Sequence, residues 1–170
     1  VRQAAEHAID RKAINQAVGY GLSEALNQIT ISRNYAYVSD LAGRSFDPAK
    51  AKQLLAEAGY PNGFDVNVDF TAHFPEQPRI AEAVVALLDA IGIRAKLNPM
   101  EYAQYSGIVY QAKYQEAAIS YVHGGEDPDT AVWDNFYSGG GKFVGKGRNR
   151  DYVDYPKLDK MLEESRATID

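Results

Sequence analysis

Cysteine is absent from this 170-residue chain, which excludes a disulfide framework, a thiolate metal site and a cysteine nucleophile. The absence suits an exported protein as well as a cytosolic one. Positive charge is in deficit: 18 Lys and Arg against 23 Asp and Glu leave a formal net charge of -5. Nucleic acid is therefore not the expected partner, because phosphate binding needs a basic face. Long apolar runs are missing too. The longest, Ala83 to Leu88, falls far short of the roughly 18 residues that cross a bilayer, so no membrane insertion of this segment is expected. There is no G-x-S-x-G elbow, and His7, His73 and His123 lie far apart with no i, i+4 pair. No enzyme, metal site or cofactor is expected.

What remains is an ordinary globular composition, 45% hydrophobic and 24% charged, at a length that suits one domain of about 100 to 200 residues. The first residues, Val1 to Ile9, already look like the interior of a helix, so the chain reads as a segment of a longer protein.

The apolar pattern changes phase at Asp10, which predicts two short helices with Asp10 capping the second and Gly19 or Gly21 closing it in a left-handed turn. A further helix is predicted where Asp47 caps, Pro48 takes the first position, Ala51, Leu54, Leu55 and Ala58 form one stripe, and Gly59 ends it. Asp65 to Thr71 alternates polar and apolar, as a strand does, with Asn62-Gly63 marking the turn into it. Ile80, Ala83, Val84, Leu87, Leu88 and Ile91 share one helix face, Gly92 stops that helix, and Ile93 to Met100 reads as a second strand. Glu101 to Tyr114 reads as a helix, with Tyr102, Tyr105 and Tyr110 expected to pack, and Glu116 to Val122 as a strand buried on both faces. Asp127 is expected to cap a helix running to Tyr137. A last helix opens at Pro156, with Leu158, Met161 and Leu162 on one face. Strand-helix-strand order predicts an α/β lobe: a small, mainly parallel sheet with helices on both faces.

Two stretches carry no helical or strand period. Residues 22–45 form a loop long enough to suggest a role, holding Tyr35 and Tyr37. Residues 138–151 form a glycine-rich basic loop. Within it, Gly140 to Gly147 resembles a phosphate loop but ends in a glycine where the pattern needs a hydroxyl, which favours a plain loop. Glu126, Asp127 and Asp129 lack the glycine and distal glutamate of a calcium loop. Twelve tyrosines are many for one domain; two or three are expected to face a ligand, since tyrosine offers a flat apolar face with a polar tip.

Several segments together resemble one family, the extracellular solute-binding proteins of ABC importers, family 5, whose members include peptide- and nickel-binding proteins. Val1-Arg-Gln-Ala through Ala8-Ile9-Asp10-Arg11 is similar to its V-R-x-A-x-x-x-A-I-D-R segment. Asp47 to Phe64 resembles its D-P-x-K-A-x-x-L-L-x-E-A-G-Y-x-x-G-F block. Asp127-Pro128-Asp129 resembles its D-P-D turn, and Asn149, Pro156 and Asp159 fit its late N-x-x-x-x-x-x-P-x-x-D pattern. The resemblance implies that residues 1–170 are a single lobe of a two-lobed periplasmic-binding-protein-like (type II) fold, cut from a longer exported protein. That protein would be periplasmic or extracellular, held at the membrane through a permease or a lipid anchor. It would bind a small polar solute between its lobes as a monomer and deliver it to the ABC transporter permease.

In peptide-binding members an Asp shortly before the D-P-D turn pairs with the peptide α-ammonium. Here that stretch is Tyr121-Val-His-Gly124, and Gly124 stands where the Asp would be. A neutral residue cannot make the charge-assisted bond, so an oligosaccharide or an opine-like compound is as plausible as an oligopeptide. Ligands of open α/β sheets sit beyond the carboxyl ends of the strands. The expected ligand residues are therefore Tyr121, His123 and Gly124 at a strand end, Tyr35 and Tyr37 from the long loop, and Asn149 on the other rim. An alternative is a sensor or interaction domain that presents this surface to a membrane receptor.

Overall fold

The computed structural model describes residues 1–109, 116–119, 129, 132–133, 136–137 and 156–168. These fall into two compact units. The first takes residues 1–28, 38–102 and 116–119, and the second takes the others.

The first unit opens with α1 (Arg2–Ala8) and α2 (Arg11–Val18). They are separate helices because Asp10 accepts a hydrogen bond from the Ala13 N–H at 2.9 Å, which satisfies an amide that the helix itself leaves free. After α2, Gly19 has φ −89°, and the left-handed positions are Tyr20 (φ 52°) and Gly21 (φ 73°). Residues 22–45 contain turns and bends but neither helix nor strand. Helix α3 (Pro48–Glu57) starts as its sequence predicts, with the Asp47 carboxylate accepting from the Lys50 N–H at 2.9 Å.

Strand β1 (Phe64–Thr71), helix α4 (Gln77–Asp89) and strand β2 (Ile93–Met100) follow, and β1 and β2 pair in parallel from Phe64↔Ile93 to Thr71↔Met100. Strand β3 (Ala117–Ala118) pairs in parallel on the other side of β1, so the order is β2-β1-β3. Its alanines are half-buried rather than buried on both faces. Alternation sorts the side chains of β1. Val68 and Phe70 are buried, and Val66 is partly so, while Asp65 and Asn67 are exposed. The core cluster is Ala4 and Ala8 of α1, Ala51 and Leu55 of α3, and Ile91 and Ile93 at the entry to β2, with Phe64, Val66 and Leu88 packed against it. Small residues on α1 and α3 permit this close approach, and complete burial of Leu55 contributes about 1.5 to 3 kcal/mol.

The exposed polar side chains of β1 form cross-strand pairs. Arg94 Nε donates to Asp65 Oδ1 at 2.7 Å and its Nη1 to the Asn62 carbonyl at 3.1 Å, while Asn98 donates to Asp69 at 2.8 Å. At the β3 side, the Glu116 carboxylate accepts both the backbone N–H and the side-chain amide of Asn67. The hydrogen bond from Arg94, and then its charge, hold the Asp65 carboxyl below its ordinary value of 3.8. A lowered folded-state pKa means that the contribution is present above the unfolded value and is lost as pH falls through the folded one. Carboxyl NMR titration should therefore find Asp65 titrating below a free aspartate, and Arg94→Gln should return it to the ordinary range. The pair is solvent-exposed, so neutral-pH stability should barely change.

Helix α5 (Tyr102–Val109) leaves the end of the first unit and continues in the second, where Tyr105 and Val109 are 1% exposed. Of the tyrosines expected to pack, Tyr105 does. Tyr102 does not: it is 42% exposed, because it sits at the first position of the helix, before the buried stripe begins. Tyr110 lies outside the described residues, as do Asp127 and the loop at 138–151. Helix α6 (Pro156–Ala167) buries Leu162, but Met161 is 56% exposed, so the apolar stripe is narrower than its spacing predicts. Arg166 of α6 grips Asp129 through both carboxylate oxygens, at 2.7 and 3.0 Å, and lies 3.5 Å over the Trp133 ring, which in turn stacks on Tyr137. Asp129 thus joins the last helix to the preceding segment through a bidentate ion pair.

Candidate functional site

Three parallel strands bring their carboxyl ends to one edge of the sheet. In the order β2-β1-β3 the chain runs from β1 to β2 on one side and returns past β1 to β3 on the other, and open α/β sheets hold their ligands beyond the carboxyl ends of their strands. The residues that follow β1 and β2 are therefore the first to consider.

Beyond β1 the chain is held by its own side chains. Thr71 is buried, and its Oγ1 accepts the His73 N–H at 3.3 Å. Gln77 is also buried, and its N–H donates to the Phe74 carbonyl at 3.0 Å. These bonds fix the backbone while the His73 side chain stays exposed. Beyond β2, Glu101 leads into Tyr102. The imidazole of His73 lies 4.6 Å from the Tyr102 ring, tilted by 30°, and 4.9 Å from the Phe74 ring, nearly perpendicular to it. The site is thus a small aromatic shelf with a polar imidazole, built from the ends of two neighbouring strands. Among the described residues, no hydrogen-bond partner meets the imidazole nitrogens or the Tyr102 hydroxyl.

On the first turn of α4, Arg79 donates to the Tyr20 hydroxyl at 3.1 Å and to the Ala17 carbonyl at 3.2 Å. The hydrogen bond from Arg79 and then its charge lower the Tyr20 pKa. This clasp ties the turn after α2 to α4 and gives the left-handed Tyr20 a fixed place.

Of the six residues expected at the ligand, Tyr121, His123, Gly124 and Asn149 lie outside the described residues. Tyr35 is 85% exposed and Tyr37 half-buried, both in a turn of the second unit where the Asn34 side chain accepts the Ala36 N–H at 2.9 Å. The sequence reading passed over His73, which looked isolated, and assigned Tyr102 to packing. The available signal was position: each lies two residues beyond the end of a predicted strand.

A model of the bacterial extracellular solute-binding proteins, family 5, middle region, matches residues 1–143. The chain belongs to this family. Over 97% of its length it is 33% identical to heme-binding protein A of Haemophilus influenzae, of which it covers 30%. It superposes on the ABC transporter-associated periplasmic binding protein DppA of Helicobacter pylori, solved with the peptide STSA, with a TM-score of 0.84. That match covers 99% of this chain and 32% of the other at 22% identity, and shows the fold alone. The periplasmic binding protein AgaA of A. tumefacien R10, solved with agropinic acid, matches with a TM-score of 0.78 at 31% identity, over 99% of this chain and 34% of that one. The family 5 chain described here therefore spans about a third of the length of these relatives. Its small parallel sheet with flanking helices is the periplasmic-binding-protein fold that the sequence resemblance implied. No helix among the described residues is long and apolar enough to cross a membrane.

Proposed function

We propose that this chain is one lobe of the substrate-binding component of an ABC importer, and that it takes a small solute at the carboxyl edge of its sheet. Membership of family 5 over residues 1–143 carries this reading. The solute is held between this lobe and a second one, and the loaded monomer delivers it to the membrane permease. The protein is periplasmic or extracellular, held at the membrane by the permease or by a lipid anchor, and binds without turnover. Heme, a peptide and agropinic acid, named for the relatives above, define the range of solutes. Gly124 weighs against recognition of a free peptide amine, for want of a carboxylate there.

Thermal shift of the full-length protein against heme, peptides, oligosaccharides and opines tests the reading. A ligand at 100 times its Kd stabilises the native state by about 2.7 kcal/mol, which raises Tm by several degrees. One solute class should do so, and Tyr121→Ala should weaken its binding by about 1 to 3 kcal/mol, as loss of an aromatic platform does. Turnover of the bound solute would overturn the assignment as a binding protein, and unchanged affinity in Tyr121→Ala would remove Tyr121 from the site.

A further inference from the structure

We propose that the first unit holds a second small-molecule site, between α2, the turn that follows it and α4, and that this site takes a compact apolar molecule bearing an ammonium group. The cavity there measures about 370 Å³, within the range of roughly 300 to 1,000 Å³ that holds small ligands. Neither a strand residue nor His73, Phe74 or Tyr102 lines it, so it is a different place from the shelf beyond β1 and β2. Much of its wall is aliphatic: Ile14 and Val18 come from α2, Ile80 and Val84 from α4, and Leu26 from the long loop.

One atom of the lining lacks a partner. Asn15 Nδ2 donates to the Ser23 carbonyl at 2.8 Å, which fixes the amide, while Oδ1 is shielded from solvent and meets no donor among the described residues. Buried acceptors are nearly always paired, because an unpaired one gives up its hydration without return. Glycine at position 19 keeps this atom uncrowded: a Cβ there would stand 2.6 Å from Asn15 Oδ1 and 2.9 Å from Ser23 Oγ. An occupant that answers Asn15 therefore donates a hydrogen bond from an apolar frame. Charge selects an ammonium as that donor. The exposed carboxylates of Glu24 and Glu76 line the cavity against Arg11 alone, and Arg11 has Glu6 at 3.9 Å. This anionic surplus attracts a cation and repels a carboxylate.

The test is NMR titration of the full-length protein, methyl-labelled at Ile and Leu. Cyclohexylmethylamine is the probe, with cyclohexylmethanol and cyclohexanecarboxylate in parallel arms. The amine should shift the Ile14, Ile80 and Leu26 methyls saturably and bind at least about tenfold tighter than the carboxylate, with the alcohol between them. Val84→Phe, which fills the cavity, should abolish the shifts. Asn15→Leu and Asn15→Asp both lose the bond to Ser23, but only Asn15→Asp keeps an acceptor, so it should bind the amine at least about fivefold tighter than Asn15→Leu. Tm, read for each variant, confirms that it is folded. Should Asn15→Leu not fold, Val84→Phe decides. Saturable shifts that survive Val84→Phe, equal amine affinity in the two Asn15 variants, or a carboxylate that binds as tightly as the amine would overturn the proposal. Absence of saturable shifts with every probe would overturn it too. A solute found for the carboxyl edge by thermal shift should still bind Val84→Phe as it binds the wild type, so failure at this cavity leaves the importer reading intact.

Discussion

Gly63→Ala should destabilise the protein by on the order of 3 kcal/mol or more, among the largest effects of any single methyl group added to this fold. A Cβ built at Gly63 would lie 1.8 Å from the Gly92 carbonyl oxygen and 2.6 Å from its carbon, and both are backbone atoms that cannot turn aside. That same carbonyl accepts the Phe64 N–H at 3.1 Å at the head of the β1–β2 pairing. Relief of the clash would therefore separate the strands where they begin. Gly63 also has φ +71°, which carries a further penalty for an L side chain. Gly59→Ala provides the control. Its φ is +89°, but nothing lies within 4 Å of the added Cβ, so only the conformational cost of about 1 to 2 kcal/mol applies. Urea unfolding of the two variants separates the terms. Equal losses would mean that the Gly63–Gly92 approach is not what limits this position.

Tyr105→Ala should cost about 3 to 5 kcal/mol, the range for removal of a large buried aromatic side chain. Tyr105 is 1% exposed and among the largest fully buried side chains described. Tyr102, three residues earlier on the same helix, is 42% exposed and lies against His73. Tyr102→Ala should change stability by no more than about 1 kcal/mol and act on ligand affinity instead. Thermal unfolding and ligand titration of the pair should therefore give opposite patterns. A large stability loss in Tyr102→Ala with unchanged binding would return that residue to a packing role.

The helix starts were legible because their chemistry is local. Asp10 and Asp47 each cap within three residues, and Pro48 at the start of α3 and Gly92 after α4 act through their own backbone angles. Strand β2 was bounded correctly at Ile93–Met100, since a glycine and a helix boundary flank it. Met161 shows where local reasoning stops. Helical spacing puts it beside Leu162, yet Leu162 is buried and Met161 is 56% exposed. Tyr102 and His73 show the same for the site. They are 29 residues apart, and although strand-helix-strand order predicts parallel strands, nothing local in either segment states the register in which β1 and β2 end together.

Composition and short-range pattern thus determined what could be read directly from this chain: no cysteine, no apolar run of bilayer length, a strand-helix-strand lobe, and motifs that resemble family 5. Those properties depend on residue type and on contacts within a few positions, which a sequence states directly. Tertiary structure decided which tyrosine is core and which is surface, and why Gly63 must be glycine. It also brought His73 to an aromatic neighbour from another strand end. Those depend on strand order and register, where atoms far apart along the chain come within a few ångströms, and only the folded backbone sets that distance.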